Sequence, residues 1–127
     1  MAGKLKKPKA WSIKKWRDSC DKLLTPIIMK RAPRCLLCNQ LTQVAHHHVH
    51  KSQSSILRYY IPNLINLCHG CHYKLHQNES YWASRIIQLK GLPWFEDLER
   101  KKNQLVKTDI LFYRDHYEKL STLNNSG

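Results

Sequence analysis

The first part of the chain shows apolar residues at helical spacing. They recur at offsets of 0, 4, 7, 8 and 11 residues, which places them on one helical face and leaves lysines on the other. The residues of this stripe are Trp16, Cys20, Leu23, Leu24 and Ile27. The pattern predicts a helix over about residues 10–24 that Pro26 breaks or restarts. Because Cys20 lies on the stripe, we expect it to be a small core residue.

Two short stretches in the middle of the chain are candidate β-strands. They cover residues 44–49 and 64–67, and a polar loop that contains Lys51 and Arg58 joins them. One cysteine pair precedes the first stretch, and a second pair follows the second stretch and leads into a helical pattern. The order expected over residues 35–77 is therefore turn, strand, loop, strand, turn and helix.

The last third of the chain is again helical in pattern. A first stripe on one helical face consists of Trp82, Ile86 and Leu89. Gly91 is a natural C-terminal stop, Pro93 can open the next helix, and Thr108 can cap a last one. The apolar positions of that last helix are Ile110, Tyr113, Tyr117 and Leu120. The polar end, residues 124–127, is expected to fray.

The chain length indicates one structural unit. A chain of 127 residues can bury a modest core, and its least regular part is short enough for a metal ion to stabilise it. We divide it into a disordered basic arm (1–9), a basic helical segment (10–34), a core rich in cysteine and histidine (35–79), C-terminal helices (80–123) and a tail (124–127).

The cellular setting is predicted from the cysteines and from the start of the chain. Thiolates that bind metal need a reducing compartment. The first nine residues, MAGKLKKPK, do not resemble a signal peptide, and no apolar run approaches the roughly 18 residues of a membrane span. We expect a soluble, cytoplasmic protein without a membrane partner, in a cytosolic or nucleoid setting.

The positive charge is concentrated near the start of the chain. Residues 1–34 hold eleven Lys or Arg against Asp18 and Asp21, so +9 of the net +13 lies there. Such a balance suits a polyanion, because lysines near phosphates release condensed counterions; the alternative is a solvated face that only keeps the protein soluble. The candidate DNA-binding residues are Lys4, Lys6, Lys7, Lys9, Lys14, Lys15, Lys51 and Arg58.

Four cysteines form two CxxC pairs with 29 residues between them. A tetrahedral four-thiolate site needs two short turns that each present two sulfurs, and CxxC provides that spacing. Two such pairs in a chain with one further cysteine favour structural zinc over disulfides. The predicted zinc ligands are Cys35, Cys38, Cys68 and Cys71.

Seven of the eight histidines fall between positions 46 and 76. On a helix, His72 and His76 are four residues apart, so their imidazoles project together and can hold one ion. Successive residues of a strand face opposite ways, so His46 and His48 cannot share a face with His47 without a bulge. A third ligand from the strand would complete a three-histidine site with positions left open for water and phosphate.

These pieces resemble the HNH, or ββα-metal, nuclease motif with a zinc knuckle. The resemblance implies an α+β fold: a small ββα-metal core with a four-cysteine knuckle, flanked by N-terminal and C-terminal helices. It implies catalytic metal ligands at His46, His72 and His76, a general base at His47, and a loop-fixing residue of the catalytic motif at Asn63. The pair His47-His48 also fits the motif, and Asn66 is an alternative to Asn63.

A narrower resemblance, to lambdoid phage recombination proteins of the NinG/Rap type, covers most of the chain. It rests on Trp16, the CLLC and CHGC turns, Ser52-Gln53-Ser54, Leu57-Arg58-Tyr59 and Asn63, with helices following. His72 departs from it, since members commonly have Asn directly after the last cysteine. The resemblance implies a metal-dependent endonuclease that hydrolyses phosphodiester bonds of branched or Holliday-junction DNA. Its expected cofactors are structural Zn²⁺ and one catalytic divalent ion, which is Mg²⁺, Mn²⁺, Ni²⁺ or Zn²⁺.

Two other functions stay open. The chain fits a zinc module that binds DNA without cleaving it, and it fits a sequence-specific or nicking HNH nuclease of the restriction or homing type. The absence of an evident second recognition domain argues against base readout. Resolving a junction requires two cuts, which favours a homodimer.

Overall fold

The computed structural model describes residues 11–126 and combines helices with one two-stranded antiparallel sheet. The predicted mixture of helices and two short strands is therefore confirmed. The predicted arm, with Lys4, Lys6, Lys7 and Lys9, lies outside the described residues. In chain order the elements are α1 (Ile13–Arg31), β1 (Val44–His47), α2 (Ser55–Arg58), a 3₁₀ turn (Ile61–Asn63), β2 (Leu64–Leu67), α3 (His69–Gln77), α4 (Glu79–Lys90), α5 (Leu92–Lys102) and α6 (Ile110–Asn125).

Helix α1 is longer than the sequence predicted. It begins after the capping residue Ser12 and passes through Pro26 to Arg31, so the predicted break is wrong. A proline inside a helix costs about 3 kcal/mol through the missing hydrogen bond and its ring clash. Ile27 and Ile28 continue the apolar stripe beyond it and are almost fully buried. Burying two such side chains contributes about 1.5 to 3 kcal/mol each, enough to offset the proline.

The largest core lies between α1 and α6. Cys20 is fully buried there and its thiol donates to the backbone carbonyl of Tyr113 at 3.3 Å, which confirms that it is a core residue. Burial also raises the pKa of Cys20 to about 12. The buried members of this core are Trp16, Cys20, Leu24, Ile27, Ile28, Tyr59, Leu64, Tyr113 and Leu120.

Both ends of α6 differ from the prediction. The cap is Asp109 rather than Thr108, because the Asp109 carboxylate accepts from the Phe112 amide at 3.0 Å. The helix continues to Asn125, two residues into the predicted tail. Lys30 of α1 donates to the carbonyl of Asn124 and joins the end of α6 to α1.

The sheet is short because its first strand stops at His47. Strand β1 pairs with β2 in an antiparallel register that places Val44 opposite Leu67 and His47 opposite Leu64. Strand pairing was predicted to reach residue 49. Instead, the amide of Val49 donates at 2.8 Å to the side chain of the buried Asn63, which turns the chain out of the sheet.

Leu75 of α3 and Ile86 of α4 pack with the buried residues of β2. Cys68 caps α3 and Asn78 caps α4. Gly91 has φ of 100°, a conformation that suits glycine, and it ends α4 as predicted; Pro93 lies in the first turn of α5, also as predicted. None of the helices within residues 11–126 is long and apolar enough to span a membrane.

Candidate metal centres and cleft

The four predicted zinc ligands lie together. The sulfurs of Cys35, Cys38, Cys68 and Cys71 are all within 4.8 Å of one another. The sulfurs of Cys38 and Cys68 are 3.6 Å apart. Tetrahedral zinc with bonds of about 2.3 Å holds its sulfurs about 3.8 Å apart, so the cluster fits such an ion. The cluster is compatible with zinc or another metal, and all five cysteines are free thiols.

Local backbone structure shapes both cysteine turns. In the first turn Asn39 has φ of 67°, a conformation that asparagine tolerates, and the Cys35 amide donates to the carbonyl of Gln40 at 2.6 Å. In the second turn the Cys71 amide donates to the sulfur of Cys68 at 3.4 Å. That hydrogen bond favours the thiolate and lowers the pKa of Cys68 to about 7. A thiolate is the form that binds metal.

The first cysteine turn is tied to β2. The Leu36 amide donates to the backbone carbonyl of Asn66 at 2.8 Å, and the Asn66 side chain donates to the carbonyl of Arg34 at 2.6 Å. Asn66 therefore belongs to the cysteine centre. Asn66 was the alternative to Asn63 as the loop-fixing residue, but its hydrogen bonds are to the first cysteine turn.

A second cluster consists of His46 from β1 with His72 and His76 from α3. One ring nitrogen of each lies within 4.8 Å of the others. The Nε2 atoms of His72 and His76 are 3.0 Å apart. Two nitrogens bound to one ion at about 2.1 Å lie about 3.0 to 3.4 Å apart for bond angles of about 90° to 109°. The three imidazoles thus fit one divalent cation.

The surroundings of two members of this cluster, His46 and His72, favour neutral imidazoles. His46 is buried, and burial together with the neighbouring rings of His72 and His76 lowers its pKa to about 3. The pKa of His72 is also lowered, mainly by burial. Neutral imidazole carries the lone pair that a metal needs. His76 is exposed, so the cluster is open to solvent on that side.

Glu79, which the sequence analysis missed, orients the exposed ligand of the cluster. Its Oε2 accepts from Nδ1 of His76 at 3.0 Å, and its Oε1 accepts from Nε2 of His50 at 3.1 Å. The first of these bonds is the main cause of a lowered pKa at Glu79. A carboxylate on Nδ1 fixes the tautomer of His76 and leaves Nε2 facing the cluster.

His47 is not a member of the cluster, and a backbone carbonyl holds its ring. Its Nε2 lies 2.9 Å from the carbonyl oxygen of Arg58. A carbonyl only accepts, so Nε2 carries the proton and Nδ1 carries the lone pair. Burial is the main cause of a lowered pKa at His47, which keeps the ring neutral near pH 7. This is the state of a residue that accepts a proton.

Asn63 closes the loop between the strands. Its side chain is fully buried, and Nδ2 donates to the carbonyls of Val49 and Leu57 at 3.0 and 3.1 Å. Its Oδ1 accepts from the Val49 amide, so every polar atom of the amide group is bonded to the loop. Asn63 therefore fixes the loop that follows His47.

The histidine cluster and His47 line one cleft of about 360 Å³. The wall of the cleft comes from α1, β1, α3 and the start of the loop. Its charged and polar lining residues are Asp21, Thr25, His46, His47, His50, Lys51, His72 and His76. A small anionic group entering the cleft would meet the three imidazoles, His47 and the amine-bearing Lys51.

The predicted DNA-binding residues within residues 11–126 have different surroundings. Lys51 lines the cleft. Arg58 does not line the cleft. Its guanidinium instead donates twice to Asp21, at 3.1 and 2.6 Å. Lys14 pairs with the exposed Asp18, and Lys15 lies over the ring of Trp11. The expected phosphate contact of Arg58 therefore competes with an existing ion pair.

His48 belongs to neither centre. Its ring packs against Trp94 with centroids 4.9 Å apart, and it does not line the cleft. Of the three consecutive histidines, the structure places His46 in the cluster and His47 on the cleft.

Comparisons with known protein families, with curated proteins and with solved structures found no match to this chain.

Proposed function

We propose that this protein is a metal-dependent DNA endonuclease whose active site is the histidine-lined cleft. The observation that carries the proposal is the pairing of two features. A neutral histidine whose Nδ1 carries the lone pair, His47, lines the same cleft as three imidazoles that fit one divalent cation. Hydrolysis of a phosphodiester needs both a base for the attacking water and neutralisation of phosphate charge.

His47 is the proposed general base. Its Nδ1 takes the proton from the attacking water, while the Arg58 carbonyl holds the ring through Nε2. Because burial keeps the ring neutral, the base is ready near pH 7. Asn63 holds the loop behind it and has no polar atom left for the substrate. Its role in the reaction is to keep His47 and the loop in place.

His46, His72 and His76 are the proposed ligands of the catalytic ion. A divalent cation bound there would neutralise the charge that grows on the phosphate and on the departing 3′ oxygen. A ligand set made only of imidazoles favours Zn²⁺, Ni²⁺ or Mn²⁺ over Mg²⁺, which prefers oxygen ligands. The exposed side of the cluster, at His76, leaves room for water and substrate.

The cysteine centre is the proposed structural zinc site. It joins the first cysteine turn, which is tied to β2, to the N-terminus of α3. Since α3 carries His72 and His76, an ion at the cysteines would also fix the position of two ligands of the other site.

The proposed substrate is DNA, in particular branched or Holliday-junction DNA of phage recombination. A net charge of +13 favours a polyanion. Strands β1 and β2 and helix α3 follow in the order that the resemblance to HNH nucleases implies, with His46 and His47 on β1 and His72 and His76 on α3. The junction preference rests on the narrower resemblance to phage recombination proteins, which also implies 5′-phosphate and 3′-hydroxyl products.

Nicking of supercoiled plasmid by the purified zinc-containing protein, with each divalent ion added in turn, tests the proposal. His47→Ala should reduce turnover by ~10²–10⁴-fold while zinc content and DNA affinity stay unchanged, because only the base is lost. His48→Ala is the matched control, since it truncates the adjacent histidine outside the cleft, and it should retain turnover.

Two results would contradict the assignment. If His48→Ala abolishes nicking and His47→Ala retains it, the base is the neighbouring histidine. If the wild-type protein binds DNA but does not nick it whichever divalent ion is added, the chain is a DNA-binding zinc module and not an enzyme.

A further inference from the structure

Asp21 is an acidic residue in the wall of the cleft, yet it belongs to no metal cluster. It lies on α1 and pairs with Arg58, whose Nε donates to Oδ1 at 3.1 Å and whose Nη2 donates to Oδ2 at 2.6 Å. The side chains of Arg58 and Asp21 are only 16% and 25% exposed. Such a two-point, largely buried pair fixes the geometry of both partners.

Arg58 is also the residue whose backbone holds His47. It is the last residue of α2, and its carbonyl oxygen accepts from Nε2 of His47 at 2.9 Å. One residue therefore contacts α1 through its side chain and the proposed base through its carbonyl. The orientation of that carbonyl decides which ring nitrogen of His47 carries the proton.

We propose that Asp21 and Arg58 are positioning residues that select the tautomer of His47. The ion pair anchors the C-terminal end of α2 to α1 and keeps the Arg58 carbonyl aimed at Nε2. Nδ1 then carries the lone pair that the reaction uses. The catalytic consequence rests on the proposed function, whereas the effect on the tautomer does not.

The surrounding contacts separate positioning from simple structural support. Leu57 is fully buried, and its carbonyl accepts from Asn63, so α2 stays attached to the body of the protein without the ion pair. Tyr59 is buried in the core between α1 and α6. Loss of Asp21 should therefore leave α2 in place but free the Arg58 peptide group to turn.

Asp18 provides a matched control on the same helix. It pairs with Lys14 at 2.6 Å, but the two side chains are 75% (Lys14) and 43% (Asp18) exposed. Exposed pairs of this kind contribute little to stability or geometry. Asp18→Asn removes the same charge from α1 as Asp21→Asn does, without touching Arg58.

The test is ¹⁵N nuclear magnetic resonance of the full zinc-containing chain with labelled histidine rings, at mildly alkaline pH. The resonances of His47 are identified by their loss in His47→Gln. We expect wild type and Asp18→Asn to show a single tautomer with the proton on Nε2. Asp21→Asn and Arg58→Gln should show both tautomers in exchange.

Plasmid nicking by the same variants gives the catalytic readout. Asp21→Asn should lower kcat about 10-fold with KM unchanged, a smaller loss than the ~10²–10⁴-fold expected when the base itself is removed. A pure Nε2–H tautomer in Asp21→Asn, or an equal tautomer change in Asp18→Asn, would overturn the proposal. If the wild type cleaves no DNA, the proposed function fails and the tautomer comparison alone decides the role of Asp21.

Discussion

Adjacent histidines of this chain have different chemistry because each has different neighbours. His46 is buried against two further imidazoles, and its pKa falls to about 3. His47 lines the same cleft but lies outside this cluster, with Nε2 against a carbonyl. His48, just past the strand, packs on Trp94. Residue type alone does not distinguish the three histidines; the contacts of each side chain do.

Glu79 gives a prediction at the scale of one residue. Glu79→Gln removes the negative charge beside Nδ1 of His76 and weakens the control of its tautomer. We expect the divalent-ion affinity of the histidine cluster to fall about 10- to 100-fold, the usual cost of losing such a partner. Calorimetric titration of Ni²⁺ or Mn²⁺ into the zinc-containing protein measures this. Glu96→Gln, at an exposed position on α5, is the control.

Two results for Glu79→Gln would contradict this prediction. Affinity equal to that of the wild type would mean that the carboxylate does not orient His76. A loss of cysteine-bound zinc in the same variant would mean that the substitution acts on the fold.

Local spacing predicted the clusters but not their partners. The helical spacing of His72 and His76 grouped two of the imidazoles, and the resemblance to the HNH motif supplied His46 as the third. Asp21 and Arg58 are 37 residues apart, and their pairing depends on how α1 packs on the sheet. The sequence shows the charge of Arg58 without its partner, and so it suggested a phosphate contact.

At the scale of elements, propensity was overridden by burial and by side-chain hydrogen bonds. The proline signal predicted a break in α1, yet the buried stripe continues through Ile27 and Ile28. Residues 44–49 were predicted to form one strand, yet the Asn63 side chain accepts a hydrogen bond from the backbone amide of Val49 just past the end of β1. The glycine and proline signals at the junction of α4 and α5 held, because Gly91 needs a positive φ that few other residues adopt.

The cysteine turns give a prediction at this scale. Cys38→Ser should abolish zinc binding and lower the melting temperature, because a structural ion contributes its binding free energy to folding. Since α3 begins at the second turn, the histidine cluster should lose its divalent-ion affinity as well. Zinc content by elemental analysis and thermal unfolding by circular dichroism measure both effects.

Cys20→Ser is the matched control for the cysteine turns. It makes the same chemical change at a buried thiol of the α1–α6 core and should retain zinc. Full zinc content and unchanged melting temperature in Cys38→Ser would contradict a structural role for the cluster.

At the scale of the whole molecule, the cleft is small and the positive charge is large. A cleft of about 360 Å³ accommodates little more than the phosphate and its neighbouring sugars, which leaves little surface for reading bases.

The apolar face of α6 is occupied by α1, while Ile110 and Leu111 at its start remain exposed. A homodimer through the C-terminal helices, expected from the need for two cuts, stays a prediction.

Selectivity for branched DNA is the prediction at this scale. A site that reads little sequence gains selectivity from deformability, and the arms of a four-way junction open more easily than a stacked duplex. Initial cleavage rates should be higher on a four-way junction than on a linear duplex of its arm sequence. Equal rates, at a salt concentration where non-specific binding is weak, would contradict this preference.

The most direct test of the account is restoration of DNA cleavage at the histidine cluster. The zinc-containing protein is treated with a mild chelator until the histidine site is empty and the cysteine zinc remains, and plasmid nicking is followed as Mn²⁺ or Ni²⁺ is added back. We predict that nicking returns in proportion to occupancy of the site in the wild type and is absent in the His72→Ala, His76→Ala double variant. Equal nicking by wild type and double variant, or none by the wild type with any divalent ion, would contradict the account.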